Sequence, residues 1–429
     1  MTRSALCCLL VGFLLVQTAQ AQTMPPLRDI HAPACVHYDK HALRFPASRE
    51  AHNRFNARLD SLLAGADTQL RIWHIGGSHV QAGHFSHRLR TNLTRMADSL
   101  VATRGPVFPY EMAHTGYNHN YVVHYTGTWE TGRQVDKGAA TRFRLGLTGI
   151  AATTADSVVT LQLRLCDKGN PDLQWCFSTL RLMGYSTLPD STVVHGLQAL
   201  SIETDNLVAV AYDSLTQSIT LTTPTPTDSL ALTLRQQPGT TFTLTGLLPE
   251  TSHRGICYHA SGINGASLPT WHSCVDLARD LQLVRPHLVL FAVGVNDAHV
   301  PYGKFDVEAF KEGYRRLIDK IEAVSPGCAY IFITNNDVYR RLSRRSRRPN
   351  KNGILVQEAM TQLAAEYGAA VWDVFDIMGG LGSSDRWRRA KLMTRDLIHF
   401  TPAGYELLGD MLYNTLLEDY ATHIEPSEP

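Results

Sequence analysis

The chain has 429 residues, 44% of them hydrophobic and 18% charged, which fits a globular protein with a real core and about two to three domains. Its formal net charge of +1 excludes a strong global field that would recruit nucleic acid or an acidic membrane.

Residues 1–21 read as a secretory leader. Arg3 supplies a positive start, Ala5 to Val16 is apolar, and Thr18-Ala19-Gln20-Ala21 offers an A-x-A cleavage pattern before Gln22. The apolar stretch is short for a membrane span, and no later segment reaches the required length. Cys7 and Cys8 lie too early for a lipoprotein attachment site. The expectation is a soluble, exported protein, periplasmic or extracellular, with no integral membrane segment once the leader is cleaved.

Residues 22–67 form a polar lead-in with one helix, Ser48–Leu63. A first strand follows at Leu70–Ile75, inside RIWHIGGSHVQAGHF. Its apolar run ends in Gly76 and Gly77, and Ser78 opens a helical segment. From about Tyr121 to Leu248 the texture changes to short alternating runs such as SVVTLQLRL, QSITLTT, LALTLRQ and TTFTLTGL, separated by turn residues. Period-two runs at this spacing predict a β-sandwich. After Gly255 come four short, continuously apolar strands, GICYHA, HLVLFAV, AYIFIT and AAVWDV. Helical segments alternate with them at Trp271–Leu283, Val307–Ala323, Ile354–Tyr367 and Pro402–Tyr420. The last has Thr401 as N-cap and Pro402 at its first position. The pattern predicts a three-layer α/β/α domain with a parallel sheet, built from residues 68–115 and 251–422. The β-sandwich, 116–250, is inserted between these two parts.

Six cysteines follow the leader. Cys166 and Cys176 flank an expected hairpin, KGNPD, and are the first candidates for a disulfide in an exported chain. Cys257 with Cys274 is the alternative, and spacing leaves the connectivity open. No C-x-x-C or zinc-ligand spacing occurs.

Ligands of open α/β sheets bind at the carboxyl ends of the strands. Ser78 follows strand one, Gly265 lies in GINGAS after strand two, and Asn296 and Asp297 lie in VGVND after strand three. Asp396 and His399 stand in RDLIHFTPAG before the last helix. A serine hydroxyl needs a base. His399 fits that role, and Asp396 is placed to hold its ring. The N–H of Ser78, the N–H of Gly265 and the Asn296 amide suit an oxyanion hole. Gly76 and Gly77 relieve crowding where the strand turns, and a helix N-terminus behind Ser78 adds positive potential. Asn264 is a rival to Gly265, and Asp297 reads as a loop brace.

In chain order GGSHVQ, GINGAS, GVND and DLIH resemble the four blocks of the SGNH hydrolases, the GDSL-like esterases and lipases. The resemblance covers about residues 68–104 and 255–420. It implies a flavodoxin-like fold, Ser78 as nucleophile, Asp396 and His399 completing a triad, and Ser78, Gly265 and Asn296 as the oxyanion hole. It implies no metal and no organic cofactor. Gly77 departs from the family, which usually has Asp before the serine, and this puts the rigidity of the turn in question. Exported bacterial peptidoglycan O-acetylesterases share the inserted, jelly-roll-like β-module and a stretch like RGPVFPYEMAHTGYN. That likeness implies hydrolysis of small O-acyl esters, chiefly acetyl, on a cell-wall or other polysaccharide. The alternatives are an O-acetyltransferase on the same triad and a non-catalytic glycan-binding protein.

Other features have plainer readings. His84 and His87 share a helical face, but no carboxylate or cysteine completes a metal set in sequence; His79 reads as part of the cleft rim. YRRLSRRSRRPNK, 339–351, reads as a solvated basic loop and helix start, with contact to an anionic glycan as the functional alternative. Trp372, Trp387 and Tyr405 read as core. Trp129 and Trp175 are candidate sugar platforms.

Overall fold

The computed structural model describes residues 24–98, 100–116, 120–167, 169–170, 172–173, 175–204, 208–343 and 346–424. The expected leader and the extreme C-terminal tail lie outside them. Among the described residues no helix is long and apolar enough to cross a membrane.

Six parallel strands form the central sheet, in the order Ala370–Trp372, Ala329–Ile333, Leu288–Ala292, Gln69–Gly76, Gly255–Gly262, Val101–Thr103. The Gln69–Gly76 strand is central and buried on both faces. Leu70 and Ile72 pack with Leu89, Leu412 and Trp372 on one side; Trp73 and Ile75 join Leu268, Trp271 and Phe291 on the other. Side chains alternate across a strand, so a continuous apolar run is what a doubly covered strand requires. Trp372 and Trp387 are core residues, fully buried.

The block between the first and second motif-bearing strands is antiparallel. Seven strands form one sheet, and four, Tyr121–Tyr125, Val158–Leu165, Ser229–Gln236 and Leu200–Thr204, form another. Val158–Leu165 alternates exposed and buried at every position. Its Val159, Leu161 and Leu163 meet Leu180, Leu182, Phe242 and Leu244 of the larger sheet in one core, the arrangement of a sandwich.

Four expectations change. Val101–Thr103 adds an edge strand that was not predicted. The Trp271–Leu283 helix is two helices, Leu268–His272 and Leu277–Val284. At the break, the Asp276 N–H donates to Leu145 O of the antiparallel block, so a tertiary contact replaces helix continuity. The basic run, expected as a loop and helix start, contains a two-stranded ribbon, Tyr339–Arg341 with Arg347–Pro349, before it reaches the N-cap of the next helix at Lys351. All six cysteines are thiols. Val158–Leu165 and Phe177–Thr187 lie in different sheets, so Cys166 and Cys176 flank a crossover rather than a hairpin. Cys274 is buried, with its thiol on Gln134 Oε1.

The block docks on the α/β layers through buried polar contacts. Asp280 Oδ2 accepts the Leu147 N–H at 2.9 Å, and Asp280 Oδ1 accepts Arg279 Nη2 at 2.7 Å. Arg144 forks onto Asp276 through Nη2 at 2.5 Å and Nε at 3.1 Å. A Cβ at Gly146 would lie 1.9 Å from Asp280 Oδ2, so only glycine lets the two parts close here. Removing the Asp280 carboxylate strands the buried Leu147 N–H and takes one of two carboxylates from Arg279. Asp280→Ala is therefore expected to cost about 2–4 kcal/mol in urea unfolding; a loss under about 0.5 kcal/mol would contradict the docking contact.

Candidate functional site

The central strand and its two neighbours end side by side, where the strand order reverses. This is the crevice in which doubly wound sheets bind ligands. Each of the three delivers one motif. Gln69–Gly76 leads into Ser78, Gly255–Gly262 into Gly265, and Leu288–Ala292 into Asn296.

The turn after Gly76 is tight. A Cβ on Gly76 would lie 2.4 Å from Val80 Cγ2 and 3.0 Å from Ala292 O, so the strand can fold over its own first turn only as glycine. Gly77 has φ −106° and ψ −138°. A Cβ there would meet Asn296 Nδ2 at 3.2 Å. The helix behind Ser78 is a single turn, Ser78–Gln81. The left-handed Gly83 separates it from the helix His84–Thr94. The helix-dipole contribution expected from the sequence is correspondingly small, because a macrodipole needs several aligned turns.

Ser78 Oγ lies 2.8 Å from His399 Nε2, and His399 Nδ1 lies 2.7 Å from Asp396 Oδ2. With its proton on Nδ1, the imidazole donates to Asp396 and accepts from Ser78. Asp396 Oδ1 accepts three more bonds, from Thr394 Oγ1 at 2.6 Å, Ile398 N at 2.8 Å and His399 N at 3.0 Å. Partial burial pushes the Asp396 carboxyl up, but the bonds from His399, Thr394 and the two backbone amides outweigh it and hold it well below the carboxylate range. Its contribution to stability is thus fully present above the ordinary carboxylate pKa of about 4 and is lost as pH falls towards the folded value.

The turn that carries this pair is held from outside. Leu397 sits at φ +59°, a left-handed conformation that an L residue keeps only under constraint. The constraint comes from the loop after Ala329–Ile333: buried Asn336 donates Nδ2–H to Ile398 O at 2.8 Å, and the Tyr339 N–H donates to Leu397 O at 3.0 Å. The sequence reading missed both residues. Their one signal was TNND, polar residues directly after an apolar parallel strand.

Ser78, Gly265, Asn296 and His399 line one open cavity of about 600 Å³. Gly265 is left-handed at φ +88°, and its neighbour Asn264 is otherwise engaged. The Asn264 N–H donates to Gln81 Oε1 and its Nδ2 to Thr115 Oγ1. Asn296 donates one amide hydrogen to Ala266 O at 2.9 Å, tying the second motif to the third. Asp297 braces the same loop: its Oδ1 accepts the Leu268 N–H, and burial pushes its carboxyl up to about 6. His79 packs against the His399 ring, centroids 5.4 Å apart, and its Nδ1 meets Tyr405 Oη at 2.8 Å. Burial, with the His399 ring as a second cause, takes its pKa down to about 3, so His79 is neutral. Tyr405, expected in the core, is buried yet also lines the cavity.

His84 lines the cavity too, while His87 is paired with Asp167 at 3.0 Å. Among the described residues no three His, Cys, Asp or Glu side chains converge as metal ligands. Trp175 is buried beside His87, and the Trp129 indole donates to Thr126 O, so Trp175 is no exposed platform.

Residues 213–407 match the GDSL-like Lipase/Acylhydrolase family. The match takes in Gly265, Asn296, Asp396 and His399 and leaves out Ser78, which lies on the far side of the antiparallel block. No curated protein matches the chain. Among solved structures, one titled "Peptidoglycan O-acetylesterase in action" is 21% identical, covers 89% of this chain and 99% of its own, and superposes with a TM-score of 0.68. The acetyl xylan esterase AlAXEase is 17% identical, over 38% of this chain and 81% of its own, with a TM-score of 0.30. A lipase/acylhydrolase from Enterococcus faecalis is 19% identical, over 41% and 80%, with a TM-score of 0.29. The order of the motifs, the parallel sheet that carries them and the match agree: residues 213–407 are similar to the GDSL-like lipase/acylhydrolase family, and the chain has the fold of an SGNH hydrolase.

Proposed function

We propose that this protein is an exported serine esterase that removes small O-acyl groups, chiefly acetyl, from a polysaccharide. In this reading residues 68–115 and 251–422 form the hydrolase, 116–250 is an inserted module, 22–67 is a lead-in and 1–21 is the leader. The observation that carries the reading is the continuous relay Ser78–His399–Asp396, bonded at 2.8 and 2.7 Å on the wall of an open cavity. One feature supports the glycan substrate: the fold likeness to the peptidoglycan O-acetylesterase covers 89% of this chain and so runs into the antiparallel block as well as the hydrolase.

The chemistry proceeds in two halves. His399 Nε2 takes the Ser78 proton as Oγ attacks the acyl carbon. The N–H groups of Ser78 and Gly265 and the second amide hydrogen of Asn296 receive the oxyanion. The tetrahedral intermediate collapses; the sugar hydroxyl leaves with the proton from His399, and the acyl group stays on Ser78. A water then gives its proton to His399 and attacks the acyl carbon, and acetate departs as Oγ regains its proton. Asp396, held ionised, stabilises the imidazolium in both halves and fixes its tautomer.

Purified protein should hydrolyse p-nitrophenyl acetate, and Ser78→Ala should lower kcat by at least about 10³-fold. Folded wild type with no ester turnover would refute the proposal. Asn336→Ala should lower kcat about tenfold with little change in KM, because it loosens the turn that aims His399 without touching substrate. A change confined to KM would remove Asn336 from this positioning role.

A further inference from the structure

Apart from the Tyr339 N–H that holds the His399 turn, the basic ribbon has no part in the machinery described so far, yet both its legs are fastened to the loops that build the site. The Tyr339 N–H bonds Leu397 O, and Arg347 Nη1 bonds Arg395 O, on either side of Asp396. Just past the second leg, Asn350 Nδ2 donates to Ala298 O, and Asn352 Nδ2 donates to Ala298 O and Val300 O, in the loop after Asn296. The ribbon is thus rigidly placed at the rim of the cavity. Arg340 is close enough to help depress the pKa of His299, a cavity-lining residue.

Its charge is uncompensated. No Asp or Glu occurs between Asp337 and Glu358. Among the described residues, Arg340, Arg341, Arg347 and Arg348 form no ion pair, and Arg341, Arg347 and Arg348 are exposed. By contrast, Arg388 and Arg389, at the surface nearby in the chain, both pair with Asp385. A run of unpaired guanidiniums held together repels itself and binds anions. Beside it stands Tyr302, 67% exposed, with Lys351 Nζ 5.6 Å from its ring centroid. An exposed aromatic ring among cations, on the loop that runs from the cavity wall, suits a sugar ring bearing acidic groups.

We propose that the ribbon, with Tyr302 and Lys351, is a docking platform for the substrate chain, and that it selects esters on carboxylate-bearing glycans over esters on neutral ones. The proposal rests on the reading of Ser78 as the nucleophile. Guanidiniums would pair with carboxylates along the strand while Tyr302 stacks on a sugar face, delivering an ester to Ser78. The platform acts on capture of the polymer and leaves the chemical step to the triad.

The test compares three acyl substrates: O-acetylated peptidoglycan strands, uncharged acetylated xylo-oligosaccharides and p-nitrophenyl acetate. For wild type, kcat/KM on peptidoglycan should fall as salt rises, far more steeply than on the two uncharged esters. In Arg341→Gln/Arg348→Gln, the ratio of kcat/KM on peptidoglycan to that on p-nitrophenyl acetate should fall about tenfold, through KM. An unchanged ratio, or salt-independent turnover of the polymer, would overturn the platform. Binding keeps the test separate from catalysis. Ser78→Ala should co-sediment with peptidoglycan, and the added Arg341→Gln/Arg348→Gln changes should release it. If the ribbon arginines instead govern binding to phosphatidylglycerol vesicles and not to peptidoglycan, the glycan assignment is wrong. Loss of p-nitrophenyl acetate turnover by wild type, with ribbon-dependent glycan binding intact, would remove the nucleophile and leave the ribbon as a glycan-binding element.

Discussion

One hydrogen bond, Ser78 Oγ to His399 Nε2, joins residues 321 positions apart, and most of the structure around it serves to keep its ends in register. The serine end is fixed by sterics. Gly76 lets the strand fold directly onto Val80 and Ala292, and Ser78, two residues on, lines the cavity. The histidine end is fixed by hydrogen bonds. Four donors converge on Asp396, and a neighbouring loop grips the carbonyls of Leu397 and Ile398. A turn with a left-handed leucine would relax without that grip. Preorganisation of this kind is what the proposed nucleophilic role of Ser78 requires.

The same economy explains Gly77. In this chain Asn296 Nδ2 lies 3.2 Å from where a Cβ at position 77 would stand, and it bonds Ala266 O. The second and third motifs are therefore tied directly to each other beside the serine turn. An aspartate at position 77 would crowd that tie. The departure from the usual family residue is thus accompanied by a local contact that ties the same loops together.

The antiparallel block is tied into the hydrolase through buried polar groups. Asp280, Asp276 and Cys274 all take partners from it, and its apolar core runs on into one face of the parallel sheet. Such contacts favour one fixed arrangement over a tethered, independently moving module. They also explain where sequence reading succeeded and failed. The parallel strands were legible because double burial demands unbroken apolar runs, and the sandwich was legible because its strands alternate. The four motifs could be placed because each abuts such a strand. The break at Cys274–Asp276 was not legible, since its cause is Leu145, far away in the chain. Asn336 was hidden for the same reason: its partner Ile398 lies 62 residues on, and the polar run TNND marks a strand end without saying what it holds. The edge strand Val101–Thr103 is too short to show any period. The ribbon gave a charge signal but no turn signal.

The central claim is that an acyl group passes through Ser78. Rapid quenching of the wild-type protein during turnover of p-nitrophenyl acetate, followed by peptide mass spectrometry, tests it directly. The account predicts an acetyl group on Ser78 during wild-type turnover and none in Ser78→Ala. Turnover by wild type with Ser78 unmodified throughout, and the acetyl group on another residue or on none, would contradict it.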